Sequence, residues 1–150
     1  MMNQTTERLS LEITRMIDAP RSLVFKAWSD AAHWVHWFGP RDFTVPSCEV
    51  DFRVGGSYRA HIRSPEGVDY HCRGVYREIM APERLVFTFK WDEEGERGQD
   101  TLIVITFSEQ KGKTKLDFQQ APFESLSERD SHNEGWSECF ERLAAYARVL

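Results

Sequence analysis

Residues 131–150 read SHNEGWSECFERLAAYARVL. Trp136, Cys139, Phe140, Leu143, Ala144, Ala147 and Leu150 recur at the spacing of one helix face, with Glu138, Glu141, Arg142 and Arg148 outside it. A helix with one apolar stripe must bury it, so this segment demands a concave apolar partner elsewhere in the chain. Two capping-box pairs compete for its start, Ser131 with Glu134 and Ser125 with Glu128. If the helix includes Gly135, that glycine costs about 1 kcal/mol relative to alanine, which points to close approach of another element or to room for a ligand.

The partner is legible upstream. From Phe43 to Ala121 the apolar period is two, broken by turn chemistry at Val54-Gly55-Gly56, Ser64-Pro65-Glu66-Gly67, Ala81-Pro82, Glu93 to Asp100 and Lys111-Gly112. This predicts six strands in series, and such short turns predict antiparallel neighbours. One face carries Cys48, Val50 and Phe52; Tyr58, Ala60 and Ile62; Tyr70, Cys72, Gly74 and Tyr76; Leu85, Phe87, Phe89 and Trp91; Ile103, Ile105 and Phe107; Leu116 and Phe118. Arg59, Arg63, Arg73, Arg77, Lys90, Lys115 and Asp117 fall on the other, so water is expected behind the sheet.

Ahead of the meander, Leu9, Leu11, Ile13 and Ile17 alternate as a further strand, after a polar Met1 to Glu7 expected to fray. Asp18 as a cap and Pro20 in the first turn then predict a short helix with Leu23, Val24, Ala27 and Trp28 at helical spacing. Asp30 opens a second, on which Trp34, Trp37 and Phe38 share a face before Gly39-Pro40 stops it. The order is β-α-α-β6-α. An α+β fold follows, with a curved seven-stranded antiparallel sheet around the long C-terminal helix and the two short helices plugging an open end. With no linker or repeat, residues 1–150 are expected to form one domain, ordered from about 9 to 149.

A net charge of -5 excludes the concentrated basic surface that a nucleic-acid partner requires, and it disfavours an anionic membrane. No apolar run approaches the roughly 20 residues that span a bilayer, and the N-terminus lacks a signal core, so a cytoplasmic protein is expected. Cys48, Cys72 and Cys139 are odd in number and widely spaced, which reads as reduced packing thiols rather than disulfides.

Aromatic residues make up 13% of the chain, a load that must either fill the gap between curved sheet and helix or line a hollow there. The residues placed to do one or the other are Trp34, Trp37, Phe52, Tyr58, Tyr70, Cys72, Phe87, Phe89, Trp91, Trp136 and Phe140. Periodicity leaves both readings open. His33 and His36 are close enough to share a metal, but no adjacent ligand completes a set, so no metal site is expected. His61 and His71 alternate with apolar residues toward the outer face. No nucleophile and base stand together: Asp69, Glu78, Tyr58, Tyr70 and Cys72 are scattered candidates without a recognisable set, and Glu78, on the buried-face parity near a strand end, stands out among them as a carboxylate that burial there would give a raised pKa. Asp92 to Glu96 lacks calcium-ligand spacing and reads as a solvated hairpin loop.

Several short motifs, in order, then resemble one family. They are Asp18-Ala19-Pro20, Val24-Phe25-x-Ala27-Trp28, Trp37-Phe38-Gly39-Pro40, Asp51-Phe52-Arg53-Val54-Gly55-Gly56-Ser57-Tyr58-Arg59, Gly74-x-Tyr76-x-Glu78-Ile79, Pro82-Glu83-Arg84-Leu85 and Gly135-Trp136. This pattern, from about Ile13 to Tyr146, resembles the activator of heat shock protein 90 ATPase homologue family of the START-like, or SRPBCC, superfamily. The resemblance implies the helix-grip fold and a cavity between sheet and helix as the binding place, here expected to take a small hydrophobic, aromatic or lipid-like ligand; no cofactor is expected. Its name carries a link to stress response and a chaperone partner. Three readings follow: a ligand-binding module, a small cavity enzyme of the cyclase or hydrolase type, and a protein-interaction module acting as chaperone cofactor or homodimer.

Overall fold

A computed structural model of the protein describes residues 9–150. The stretch Met1 to Glu7, expected to fray, lies outside the described residues. Strand β1 (Leu9–Ile17) is followed by helices α1 (Arg21–Lys26) and α2 (Ala31–Trp34), then by β2 (Thr44–Val50), β3 (Ser57–Arg63), β4 (Asp69–Met80) and β5 (Arg84–Trp91). A 3-10 turn (Gly95–Gly98), β6 (Thr101–Gln110), β7 (Lys113–Phe123) and helix α3 (Leu126–Ala147) complete the chain. The strands form one seven-stranded sheet in the order β1-β7-β6-β5-β4-β3-β2, every pair antiparallel. This is the β-α-α-β6-α order that the period-two and helical patterns imply.

β1 therefore sits at one edge and β2 at the other, and α1 and α2 carry the chain between them. Asp30 caps α2 as its position in the sequence suggests, its carboxylate accepting from the Ala32 N–H at 2.9 Å. Asp18 does not cap α1. The Ala19 N–H returns to the Ile17 carbonyl at 2.9 Å, so Asp18 is consumed in that turn and Pro20 takes the cap position without a side-chain bond. The carbonyls at the end of α1 find unusual partners: Trp34 Nε1–H donates to Trp28 O at 2.9 Å and Trp37 Nε1–H to Ala27 O at 3.0 Å. Two buried indoles thus satisfy groups that a helix end leaves open, and lock α2 against α1.

Gly39, at φ +103°, ends this segment in a conformation that favours glycine. Helix α3 begins at the earlier of the two capping boxes, since the Glu128 N–H bonds Ser125 Oγ at 3.1 Å. Gly135 is consequently well inside the helix.

The core lies between the inner sheet face and α3. Trp28 is fully buried at its centre, with ring centroids 4.6 Å from Trp37, 6.0 Å from Trp34, 6.1 Å from Phe87, 6.3 Å from Trp136 and 6.4 Å from Phe140. Toward the far end Phe25, Phe52, Tyr76 and Phe107 pack edge to face. Along the buried face the inward residues follow the alternation read from the sequence, until a register shift between Tyr76 and Glu78 breaks it.

Candidate ligand-binding site

The packing around Trp28 fills one end of the space beneath α3 and stops short of the other. There, a cavity of about 360 Å³ lies among the first half of α3, the ends of β3, β4 and β5, and the loop that leaves α2. Its buried surface comes from Phe38, Ile62, Phe89, His132, Trp136 and Cys139, and its more exposed rim from Pro40, Phe43, Tyr70, Trp91, Arg97 and Ser131. Gly39 and Gly135 complete the wall. A Cβ added at Gly135 would meet only Pro40 Cγ, at 3.7 Å, so the glycine keeps volume in the cavity rather than relieving a backbone contact.

Of the residues placed by the sequence between sheet and helix, Tyr70, Phe89, Trp91 and Trp136 line this cavity. Trp34, Trp37, Tyr58, Phe87 and Phe140 surround Trp28 or its neighbours instead, Cys72 is buried in the sheet, and Phe52 packs at the opposite end. The space has two ends and the indole of Trp28 occupies one of them, a choice that alternation along strands does not encode. Phe38, Phe43, Ile62, Arg97, Ser131, His132 and Cys139 join the wall without having been singled out for it. His132 had a usable signal: Cys139, Trp136 and His132 fall at i+7, i+4 and i, which continues the apolar stripe of α3 one turn earlier.

The wall is held by bonds from the polar side of α3. Arg142 Nη1 donates to the carbonyls of Phe38, Gly39 and Pro40 at 3.3, 3.1 and 3.0 Å. Glu138 accepts from the Arg41 N–H at 2.9 Å, and Glu141 pairs with the Arg41 guanidinium at 2.9 Å. Behind the cavity, Trp136 Nε1–H donates to Gln120 Oε1 at 2.9 Å, Gln120 Nε2 to Thr101 Oγ1 at 2.9 Å, and Thr101 Oγ1–H to Phe89 O at 2.9 Å. These buried polar groups are satisfied in a chain, which fixes the Trp136 ring.

At the rim, Trp91 Nε1–H points at His132 Nε2, 3.2 Å away. Glu128 Oε1 is 3.3 Å from the same nitrogen. Burial, reinforced by the Arg97 charge, pushes His132 down to about 4, so the ring is neutral near pH 7 and Nε2 is an acceptor. The short distance to Glu128 is then no ion pair: a nitrogen lone pair engaged by the indole has no hydrogen for the carboxylate. Glu128 is oriented by Arg97, whose Nη1 lies 3.3 Å from it, while the Arg97 Nε lies 3.0 Å from Glu93 and the guanidinium stands 5.1 Å above the Trp91 ring.

Other chemistry-bearing residues stand apart. Glu78 is turned by the register shift to a partly exposed position, where Arg84 Nε pairs with it at 3.0 Å. His33 Nδ1 is 2.6 Å from the Tyr146 hydroxyl and His36 stacks on that ring at 5.0 Å. His61 and His71 stack at 4.3 Å on the outer face, and His61 Nε2 is 2.7 Å from Asp69. Among the described residues no three His, Cys, Asp or Glu side chains gather as a metal site, and no helix is long and apolar enough to cross a membrane. The three cysteines are free. Burial raises Cys72 well above the ordinary thiol range and pushes Cys48 and Cys139 up to about 12, which removes them as thiolate nucleophiles.

A curved sheet gripping one long helix over a lined hollow defines the helix-grip class. Residues 18–148 match the family model described as activator of Hsp90 ATPase homolog 1-like protein, and the chain belongs to that family. Its structure is similar to that of a protein from Chromobacterium violaceum, with TM-score 0.82 and 26% identity over 92% of this chain and 96% of that one. An AHSA1 protein from Silicibacter pomeroyi gives TM-score 0.80 and 24% identity over 94% and 99%. An AHSA1-like protein from Aeromonas hydrophila gives 0.74 and 19% over 94% and 93%. At the lower identities the likeness is one of fold alone. No curated protein matches the chain.

Proposed function

We propose that this protein binds a small hydrophobic ligand in the cavity between the sheet and α3, and that it does so in the cytoplasm. The observation that carries the reading is the contrast within one core: rings close-packed around Trp28, beside an aromatic-walled space of about 360 Å³. That volume is within the range of small-molecule sites. A void next to packing of this quality forfeits contacts unless a ligand supplies them. Phe38, Phe43, Tyr70, Phe89, Trp91 and Trp136 provide the apolar surface, and three free thiols support a reducing compartment.

A thermal-shift screen against aromatic, steroid, fatty-acid and polyketide-like compounds tests the reading. A ligand at 100 times its Kd adds about 2.7 kcal/mol, a rise in Tm of roughly 5–10 °C for a chain of this size. Gly135→Leu, which places a side chain in the space, abolishes the shift while leaving the fold intact. Hits that persist at full strength in Gly135→Leu would place binding elsewhere.

A further inference from the structure

The binding reading leaves the ligand's charge open, and the ion pairs at the cavity rim decide it. We propose, on the basis of that reading, that the cavity selects an uncharged compound the size of two or three fused rings, and that Glu93 and Glu128 set this selectivity by occupying Arg97, the one cation in the wall.

Size comes from volume. A dry cavity of about 150 Å³ holds one benzene ring, so about 360 Å³ has room for two to three. Among the described residues Arg97 is the only arginine or lysine that lines it. His132 adds no second cation, being neutral near pH 7. Arg142, close to Gly39, is taken up by three carbonyls of the loop after α2.

Arg97 is itself held by three groups. Its Nη1 lies 3.3 Å from Glu128 Oε1, its Nε lies 3.0 Å from Glu93 Oε1, and its guanidinium stands 5.1 Å above the Trp91 ring. Neither glutamate belongs to the cavity wall. Glu128 lines the adjoining crevice together with Glu96 and Glu124, and Phe89, Trp91, Arg97 and His132 are common to the lining of both spaces. The guanidinium therefore borders the cavity with its charge already matched from the crevice side. A ligand carboxylate would have to displace one of the two glutamates or stand beside them, near further acid from Glu96 and Glu124. A ligand ammonium would meet Arg97 and, with no Asp or Glu in the wall, find no counter-charge. An uncharged ligand meets neither penalty.

The two glutamates do not share this role equally. The Glu128 side chain is 13% exposed and sits on the first turn of α3, whereas that of Glu93 is 37% exposed in the same hairpin loop as Arg97. Water screens the Glu93 pair more, so the larger share falls to Glu128.

Three probes of one shape separate charge from fit: 2-naphthamide, 2-naphthoate and 2-naphthylmethylammonium, titrated against the full chain by calorimetry at pH 7.5. The amide is expected to bind at least about tenfold tighter than either ion, and in Glu128→Gln its advantage over the carboxylate is expected to fall by about tenfold. In Glu93→Gln that advantage falls less. Adding Arg97→Gln to Glu128→Gln restores it, which a merely structural effect of the Glu128 substitution does not do. Glu93 is altered at a partly exposed position, so its variant gives an answer even where Glu128→Gln does not fold. Carboxylate or ammonium bound as tightly as the amide would overturn the uncharged assignment while leaving the cavity a binding site. An unchanged preference in both glutamate variants would overturn their role. Binding of none of the three would remove the proposal together with the reading on which it rests.

Discussion

Gly74 shows how tightly single positions are specified on the inner face of the sheet. A Cβ there would collide with the Thr88 carbonyl and approach Tyr58 Cε1 to 2.6 Å, because the Tyr58 ring crosses Gly74 to donate its hydroxyl to that same carbonyl at 2.6 Å. Backbone cannot give way cheaply, so Gly74→Ala is expected to destabilise the protein by about 1–3 kcal/mol in urea denaturation. His132 adds a pH dependence of definite sign. Its folded-state pKa, about 4, is below the ordinary 6.5, so its contribution to stability is full above pH 6.5 and is lost as pH falls toward 4. Glu128, raised by burial, works in the opposite sense in the carboxylate range. Between pH 7 and pH 5 the wild type should therefore lose more stability than His132→Phe, by roughly 1–2 kcal/mol. Equal losses in the two proteins would show that the imidazole is not buried neutral.

At the scale of elements, the loop after α2 depends on α3 for its shape. Arg142 ties three successive carbonyls of that loop, and Arg41 is held by Glu138 and Glu141. Arg142→Ala is expected to cost about 1–3 kcal/mol, because several carbonyls lose a charged donor at once. It should also raise amide exchange at Phe38 to Arg41, and thereby widen the cavity rim. By contrast Glu78→Gln, at a partly exposed pair with Arg84, should change stability by less than about 1 kcal/mol. These elements were legible to different degrees. Strand alternation and the stripe on α3 announce themselves because burial on one face imposes a period. The register shift after Tyr76 leaves no such trace, so the parity that places Glu78 inward is broken by a structural event invisible in residue types. The capping boxes at Ser125 and Ser131 are chemically equivalent in the sequence. The structure uses Ser125, which places His132 inside the helix.

For the whole molecule, Trp28 divides filled core from hollow. It is fully buried and touches rings from α2, β5 and α3, so Trp28→Ala should cost about 3–5 kcal/mol in denaturation experiments. Gly135→Leu, at the open end, should leave stability unchanged or slightly raised in the absence of ligand, since it buries new apolar surface against Pro40. That asymmetry between two substitutions on the same internal space also explains why the sequence announced an aromatic interior but not its vacancy. Both ends are lined by the same kinds of residue.

The pairing of β1 with β7 has a consequence for the birth of the protein. Thr14 bonds Asp117 across a sequence separation of 103 residues, so the first strand made has no partner until nearly the last is made. At about 5–20 residues per second, β1 leaves the ribosome roughly 5–20 s before its neighbour exists. Throughout that interval Leu11, Ile13 and Ile17 have no sheet to cover them. The nascent chain thus carries an apolar ribbon until β7 emerges, and closing so long a loop makes the edge strand a late, slow event of folding rather than its seed.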